Sequence, residues 1–164
     1  MLTQLSIRDV VLIDLLELDF GPGLGVLTGE TGAGKSILLD ALGLALGMRA
    51  DSALVRAGQS QAAVSVSFEV APEHPALAML DENALAREPG EPLVIRRIVK
   101  ADGGSRAFLG GTAVSAGTLR EIGALAVEIH GQHDDRGLLN PRGHRALLDK
   151  FGGIECTAVG KAWG

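Results

Sequence analysis

One glycine-rich segment constrains the fold of this chain more than any other feature. Residues 29–36 fit the spacing G-x-x-x-x-G-K-[ST] of a phosphate-binding P-loop. The β-rich residues Val26 and Leu27 precede this segment, and an apolar stretch over 37–46 follows it. The order therefore predicts a strand, a loop and a buried helix, as in nucleotide-binding α/β domains.

The residue types in this segment suit a nucleotide phosphate. Glycines let backbone N–H groups converge on the phosphates, and the start of the following helix adds the positive end of its dipole. Lys35 is expected to reach the β- and γ-phosphates, and the hydroxyl of Ser36 is expected to bind Mg²⁺. The sequence contains no N-K-x-D segment that would bind guanine, which favours ATP over GTP. The predicted contacts are Gly29, Glu30, Thr31, Gly32, Ala33, Gly34, Lys35 and Ser36.

Composition narrows the class of protein. A chain of 164 residues with 46% hydrophobic residues fits a single domain, and 3% aromatic residues with 23 glycines indicate an aliphatic core. The net charge of -5 gives no general attraction to nucleic acid. The lone Cys156 cannot form an internal disulfide, and no signal peptide or membrane-spanning stretch is apparent. We therefore expect a cytoplasmic protein.

Hydrophobic periodicity predicts the other elements. Alternating apolar and polar residues indicate half-buried strands, and glycine-rich or proline-containing segments separate them. The predicted elements are a hairpin over 5–20, a strand over 64–70, a hairpin over 93–109, a helix capped by Ser115 or Thr118, a strand over 125–129 and a helix from Asn140 to Gly152.

Four segments together resemble the RecN family of bacterial SMC-like DNA repair proteins. They are LSIRDVVLID, GETGAGKSILLDALGLALG, GMRADSALVR and IHGQHDDRGLLNP, and the resemblance covers nearly the whole chain. The last segment is the most specific, since many ATPases share the P-loop. The resemblance implies an α/β fold of the P-loop ABC-type ATPase head, in which a mixed sheet carries the P-loop and an antiparallel β subdomain covers one side of its helix.

The resemblance also implies roles for two residues outside the P-loop. Gln132 corresponds to the Q-loop glutamine, which contacts Mg²⁺ and the attacking water. Arg49 is a candidate arginine finger, although a solvent-exposed loop arginine is an equal alternative. The segment around Gln132 could instead be a plain polar loop, or a zinc site through His130 and His133. Glu128 follows an apolar run but has no preceding aspartate, so we interpret it as structural.

Basic residues on the second predicted hairpin form another cluster. Arg96, Arg97, Lys100 and Arg106 lie there, and alternation along a strand prevents all four from sharing one surface. A solvated strand face is the favoured interpretation. Contact with DNA or with a partner head is the alternative.

In the family that this chain resembles, both ends of one long chain build the head, with a coiled coil between them. Residues 1–151 are then expected to be the N-terminal half of the head, and 152–164 the start of a connection to the coiled coil. By this resemblance, no segment of the sequence corresponds to the family's L-S-G-G signature, its Walker B Asp-Glu pair or its switch histidine. The expected partners are therefore the C-terminal half of the same head, a second head in a homodimer, and DNA in the full-length protein, without a membrane.

Two other functions remain open at this point. Another SMC-like or RecF-like head would share the P-loop and the division into two halves. A compact P-loop kinase acting on a small molecule would instead be complete and would turn over ATP by itself. The half-head is expected to bind ATP and Mg²⁺ without turnover.

Overall fold

The computed structural model divides into two compact units, Met1–Glu128 and Ile129–Gly164, which we describe separately. The predicted boundary at residue 151 stays a prediction. The residues that the structure describes are 1–28, 34–83, 85, 90–127, 129 and 144–152.

The first unit contains one six-stranded sheet in which every strand pair is antiparallel. The spatial order of its strands is β2-β1-β3-β4-β5-β6. The strands are β1 Leu2–Val10, β2 Ile13–Asp19, β3 Gln61–Phe68, β4 Leu93–Lys100, β5 Ser105–Leu109 and β6 Thr112–Val114. The helices of this unit are α1 Lys35–Ala45, α2 Pro75–Glu82 and α3 Ala116–Ala126, with a 3₁₀ turn at Ser52–Leu54.

One face of the sheet forms the core of this unit. In β3, alternate residues from Ala62 to Phe68 are buried while their neighbours are partly exposed, as the period of two requires. Helix α1 packs against β1, β3 and β4. The predicted antiparallel sheet that covers one side of the P-loop helix is therefore confirmed. The strands that the structure describes do not form the predicted mixed sheet, because all of their pairings are antiparallel.

The turn between β1 and β2 adopts an unusual backbone conformation. Val11 has a φ of 49°, which is unfavourable for a β-branched residue. The segment after the 3₁₀ turn supports this conformation, because Val11 N–H donates to Leu54 O at 2.9 Å and Arg56 N–H donates to Asp9 O at 2.9 Å. The hairpin is thus held by residues more than forty positions away in the sequence.

The C-terminal end of α1 packs closely on α3. Gly47 has a φ of 89°, and the N–H of Met48 donates to Gly43 O at 3.0 Å, the pattern of a Schellman motif. A Cβ on Gly47 would lie 2.6 Å from the backbone nitrogen of Arg120, so only glycine allows this approach. Gly123 also lets α3 approach the end of α1 closely, because a Cβ on this residue would lie 3.0 Å from Leu46 O.

Two sequence predictions of strands were wrong. The predicted strand over 125–129 is replaced at its start by the end of α3, in which Leu119 and Ile122 are buried at helical spacing. Val26 and Leu27 belong to no strand, because the sheet offers them no neighbour among the described residues. The two candidate caps of α3 are resolved in favour of Ser115, whose hydroxyl accepts from Thr118 N–H at 3.0 Å.

The second unit is described only through helix α4, His144–Phe151. The helix ends where the sequence predicts, since Gly152 N–H makes the last helical bond to Leu148 O at 2.9 Å. Arg145 and Asp149 form an exposed ion pair one turn apart at 3.7 Å. Leu148 and Phe151 are exposed within this unit.

Candidate nucleotide-binding site

The start of α1 has the features of an anion-binding helix end. Gly34 precedes the helix with a φ of 92°, a left-handed conformation that suits glycine. Its carbonyl accepts the first helical hydrogen bond, from Leu38 N–H at 3.0 Å. Among the residues that the structure describes, no side chain caps this end, and the first turn has no acidic residue. The amides of the first helical turn have no partner within the helix, and the helix dipole places its positive end here, which suits an anionic ligand.

Lys35 and Ser36 are the first two residues of α1, so both lie at this end of the helix. Lys35 is partly buried and Ser36 is exposed. Ammonium and hydroxyl groups at the N-terminal end of a helix are the chemistry that a nucleotide phosphate and its Mg²⁺ need. Residues 29–33, the rest of the predicted P-loop, lie outside the described residues.

Arg49 lies beyond the opposite end of the same helix. Because α1 has 11 residues, its ends are about 16 Å apart. Arg49 is exposed, beside a cavity of about 610 Å³ that Asp51, Ser52 and Gly103 also line. The structure therefore does not bring Arg49 together with Lys35, and its role as an arginine finger stays a prediction.

Arg56 is a nearby arginine that sequence analysis did not single out. Its guanidinium forms an ion pair with Asp14 of β2 at 2.8 Å, which connects the segment after α1 to the first hairpin. The two residues are far apart in the sequence, and no local pattern indicates that they meet.

The basic cluster on β4 and β5 is not a uniformly solvated face. Arg96 and Arg106 are exposed, but Arg97 is only 4% exposed and shares the buried face of β4 with Ile95 and Val99. The prediction was therefore wrong for Arg97. Burial lowers the pKa of Arg97, and the nearby positive charge of Arg120 lowers it further.

Several predicted site residues cannot be located. Gln132, His130, His133 and Glu128 lie outside the described residues. Within the described ranges, no group of three or more His, Cys, Asp or Glu side chains is arranged to hold a metal ion. No helix in those ranges has the length and apolarity that crossing a membrane requires.

An apolar surface adjoins the start of the P-loop in the sequence. Leu24 is 97% exposed and Val26 is 78% exposed, and Leu27 and Leu39 are also exposed. We call the exposed stretch of Leu24, Val26 and Leu27 the open apolar surface. Exposed leucines and valines in a short stretch are typical of a surface that another protein segment covers.

Comparison with known proteins agrees with this geometry. The DNA repair protein RecN of Xylella fastidiosa (strain 9a5c) is 42% identical over 151 residues, which cover 92% of this chain and 27% of that protein. RecN of Halalkalibacterium halodurans is 44% identical over 159 residues, which cover 97% of this chain and 28% of that protein. The chain thus spans little more than a quarter of the length of these relatives.

A solved structure shows the fold. It comes from work on the ATP-driven dimerization and DNA-stimulated activation of SMC ATPases, and it matches with a TM-score of 0.62 at 23% identity. The match covers 92% of this chain and 98% of that chain. The predicted fold class, an ABC-type ATPase head lobe, is confirmed.

A family model gives the same assignment. Residues 4–114, which run from β1 to the end of β6, match the model described as an AAA domain. This chain therefore belongs to the AAA domain family, and its resemblance to RecN is confirmed.

Proposed function

We propose that this chain is the ATP-binding half of the head of a RecN-like DNA repair ATPase. Hydrolysis then requires the C-terminal half of the head and dimerisation with a second head. The observation that carries the proposal is the start of α1, where a left-handed Gly34 is followed directly by Lys35 and Ser36 and the first turn has no acidic residue.

The phosphate-binding residues follow from that helix end. Gly34 and the other backbone groups of the P-loop bind the phosphates, and Lys35 neutralises their charge. Ser36 and Gln132 are the proposed ligands of Mg²⁺, which supplies charge neutralisation when it is bound. Gln132 would also orient the attacking water, and Arg49 is kept as a candidate phosphate contact.

The open apolar surface supports the second part of the proposal. A β-rich segment that carries Leu24 and Val26 with no strand beside it would gain hydrogen bonds and burial from a neighbouring strand. Since the relatives are more than three times longer than this chain, a segment of the complete protein is the proposed neighbour. Such a protein would act on DNA, in the cytoplasm with the nucleoid.

The first test is ATP binding by the chain alone in the presence of Mg²⁺. Lys35→Ala is expected to weaken binding about tenfold to a hundredfold, because charge-assisted contacts to the phosphates are lost. Lys100→Ala, at the end of β4, is the matched control and should bind ATP as the parent chain does. Equal binding by the Lys35 variant would contradict the proposal.

The second test is hydrolysis. The chain alone should bind ATP without turnover, and co-expression with the remaining part of the head should restore turnover. Val26→Glu should prevent that assembly while ATP binding by the isolated chain is retained. Gln132→Ala should leave ATP binding intact and block hydrolysis in the assembled head.

The small-molecule kinase is the second candidate, and it makes the opposite prediction. Robust turnover by the chain alone, abolished by Lys35→Ala, would favour it over the half-head. No observation on the described residues favours it now, whereas 42% and 44% identity to RecN proteins favours the repair ATPase over it and over other SMC-like or RecF-like heads.

A further inference from the structure

A cleft opens between the second hairpin and the start of α3. The short strand β6 pairs with β5 only as far as Ala107, so among the described strands the beginning of β5 has no neighbour on that side. The cleft has a volume of about 490 Å³. Its polar lining residues are Arg97, Ser105, Arg106 and Ser115. We call it the Arg97 cleft.

Arg97 enters this cleft as a buried cation without a counter-ion. One terminal nitrogen of its guanidinium donates to Ser105 Oγ at 3.0 Å, but the buried Nε has no acceptor. No carboxylate among the described residues forms an ion pair with Arg97. The nearest charge that affects it is the like charge of Arg120. A guanidinium in this position stays protonated, so the missing partner should be an anion.

The start of α3 lines the same cleft through Ser115 and Ala116. Ser115 caps the helix by accepting from Thr118 N–H, which leaves the amides of Ala116 and Gly117 without intrahelical partners. The first turn of α3 has no acidic residue to satisfy them. The positive end of the α3 dipole therefore adds to the charge of Arg97.

We propose that the Arg97 cleft binds a tetrahedral oxyanion of the size of phosphate. The donors come from the sheet on one side and from a helix start on the other, and a tetrahedral ion can accept from several directions at once. A carboxylate offers only two oxygens. Duplex DNA is disfavoured because its phosphates would have to reach a guanidinium that is 4% exposed. This site lies at α3, apart from the P-loop at α1.

The test is a titration with inorganic phosphate, followed by NMR or calorimetry. Lys35→Ala is present in every chain tested, so that phosphate binding at the P-loop is removed. Arg97→Met is expected to weaken binding at least about tenfold, because charge-assisted hydrogen bonds are lost. Arg96→Met is the matched control, since Arg96 precedes it on β4 but is exposed. Absence of saturable binding, or equal affinity in the Arg97 and Arg96 variants, would overturn the proposal.

Thermal unfolding checks that the Arg97 variant is folded. Without phosphate, Arg97→Met should melt at the same temperature as the parent or higher, because it removes an uncompensated buried charge. Phosphate should then raise the melting temperature of the parent and leave that of the variant unchanged. A phosphate-induced rise of equal size in both chains would contradict the assignment.

A second variant leaves Arg97 in place. Ala116→Asp puts a carboxylate at the start of α3, where it should neutralise the cleft and weaken phosphate binding about tenfold. Unchanged affinity would count against the cleft. Acetate and a short duplex DNA serve as competing ligands in the same titration. If either binds through Arg97 and phosphate does not, the oxyanion proposal is wrong.

Discussion

The two ends of α1 have the same backbone conformation and opposite surroundings. Gly34 and Gly47 flank the helix with φ angles of 92° and 89°. A Cβ at Gly34 would meet nothing within 4 Å, whereas a Cβ at Gly47 would collide with the backbone of α3. Arg120 also donates to Gly47 O at 3.2 Å, so the C-terminal end of the helix is capped by its neighbour.

The difference teaches that a left-handed backbone conformation alone does not distinguish a structural glycine from a functional one. Both ends require a left-handed residue, but packing satisfies only one of them. The end near Gly47 is covered by α3 and should matter for stability. The end near Gly34 has room for a Cβ and carries Lys35 and Ser36, and it should matter for nucleotide binding.

Gly47→Ala should have the largest effect. Left-handed strain combines with a clash against the fixed backbone of Arg120, so the free energy of unfolding should fall by about 3 kcal/mol or more. Urea denaturation followed by circular dichroism measures this change. A loss below about 1 kcal/mol would mean that α3 moves away easily, and the contrast between the two ends would weaken.

Gly34→Ala should affect function more than stability. The methyl group meets open space, so unfolding should lose only about 1 kcal/mol from backbone strain. ATP affinity should fall about tenfold or more, because the strained start of α1 no longer presents its amides correctly. Calorimetric titration with ATP and Mg²⁺ gives the affinity. Unaltered affinity would show that this end is not the phosphate site.

Arg120→Met should have the smallest effect. It removes the hydrogen bond to Gly47 O, worth about 1 kcal/mol, but it also relieves repulsion with Arg97. The net loss of unfolding free energy should therefore be below about 1 kcal/mol, with ATP affinity unchanged. Denaturation and ATP titration of the same preparation test both parts. A large drop in ATP affinity would mean that the two ends of α1 are coupled.

The antiparallel strands were largely predictable because their signal is local. Alternation of apolar and polar residues from Val64 to Phe68 predicts β3 without tertiary information. The glycines at 103 and 104 likewise predict the turn of the β4–β5 hairpin. Helix α2 was missed because the proline-containing segment that carries Pro75 was interpreted only as a separator between strands. In the structure Pro75 is the first helical residue, and His74 caps the helix by accepting from Ala76 N–H at 3.2 Å.

Features that depend on distant partners were not predictable in the same way. A short apolar run after Ile122 fits a strand or a buried helix, and packing of Gly123 on Leu46 favours the helix. Arg97 could have been placed correctly, because Ile95 and Val99 share its parity on β4. That its Nε would lack an acceptor could not be deduced from the sequence.

The candidate site was predicted from one motif. Its last residues, Gly34, Lys35 and Ser36, lie at the start of α1, where the motif predicts that a helix begins. The motif is predictive because phosphate binding depends on local backbone shape and a helix start. Arg49 and Gln132 were assigned by resemblance, which gives no distance to the phosphates. Both roles stay predictions, and the Gln132→Ala variant tests that of Gln132.

The pairing of β1 with β3 has a consequence for the order of folding. Leu5 pairs with Val66, so this ladder, together with the hydrogen bonds that Val11 and Arg56 make, closes a loop that carries the P-loop and α1. The hairpins of β1 with β2 and of β4 with β5 join strands that are adjacent in the sequence. Pairing of β1 with β3 costs more chain entropy, because it closes a longer loop. ATP should therefore bind only chains in which the closure is complete, and it would stabilise those chains against unfolding. Nucleotide binding would then report that the sheet has assembled.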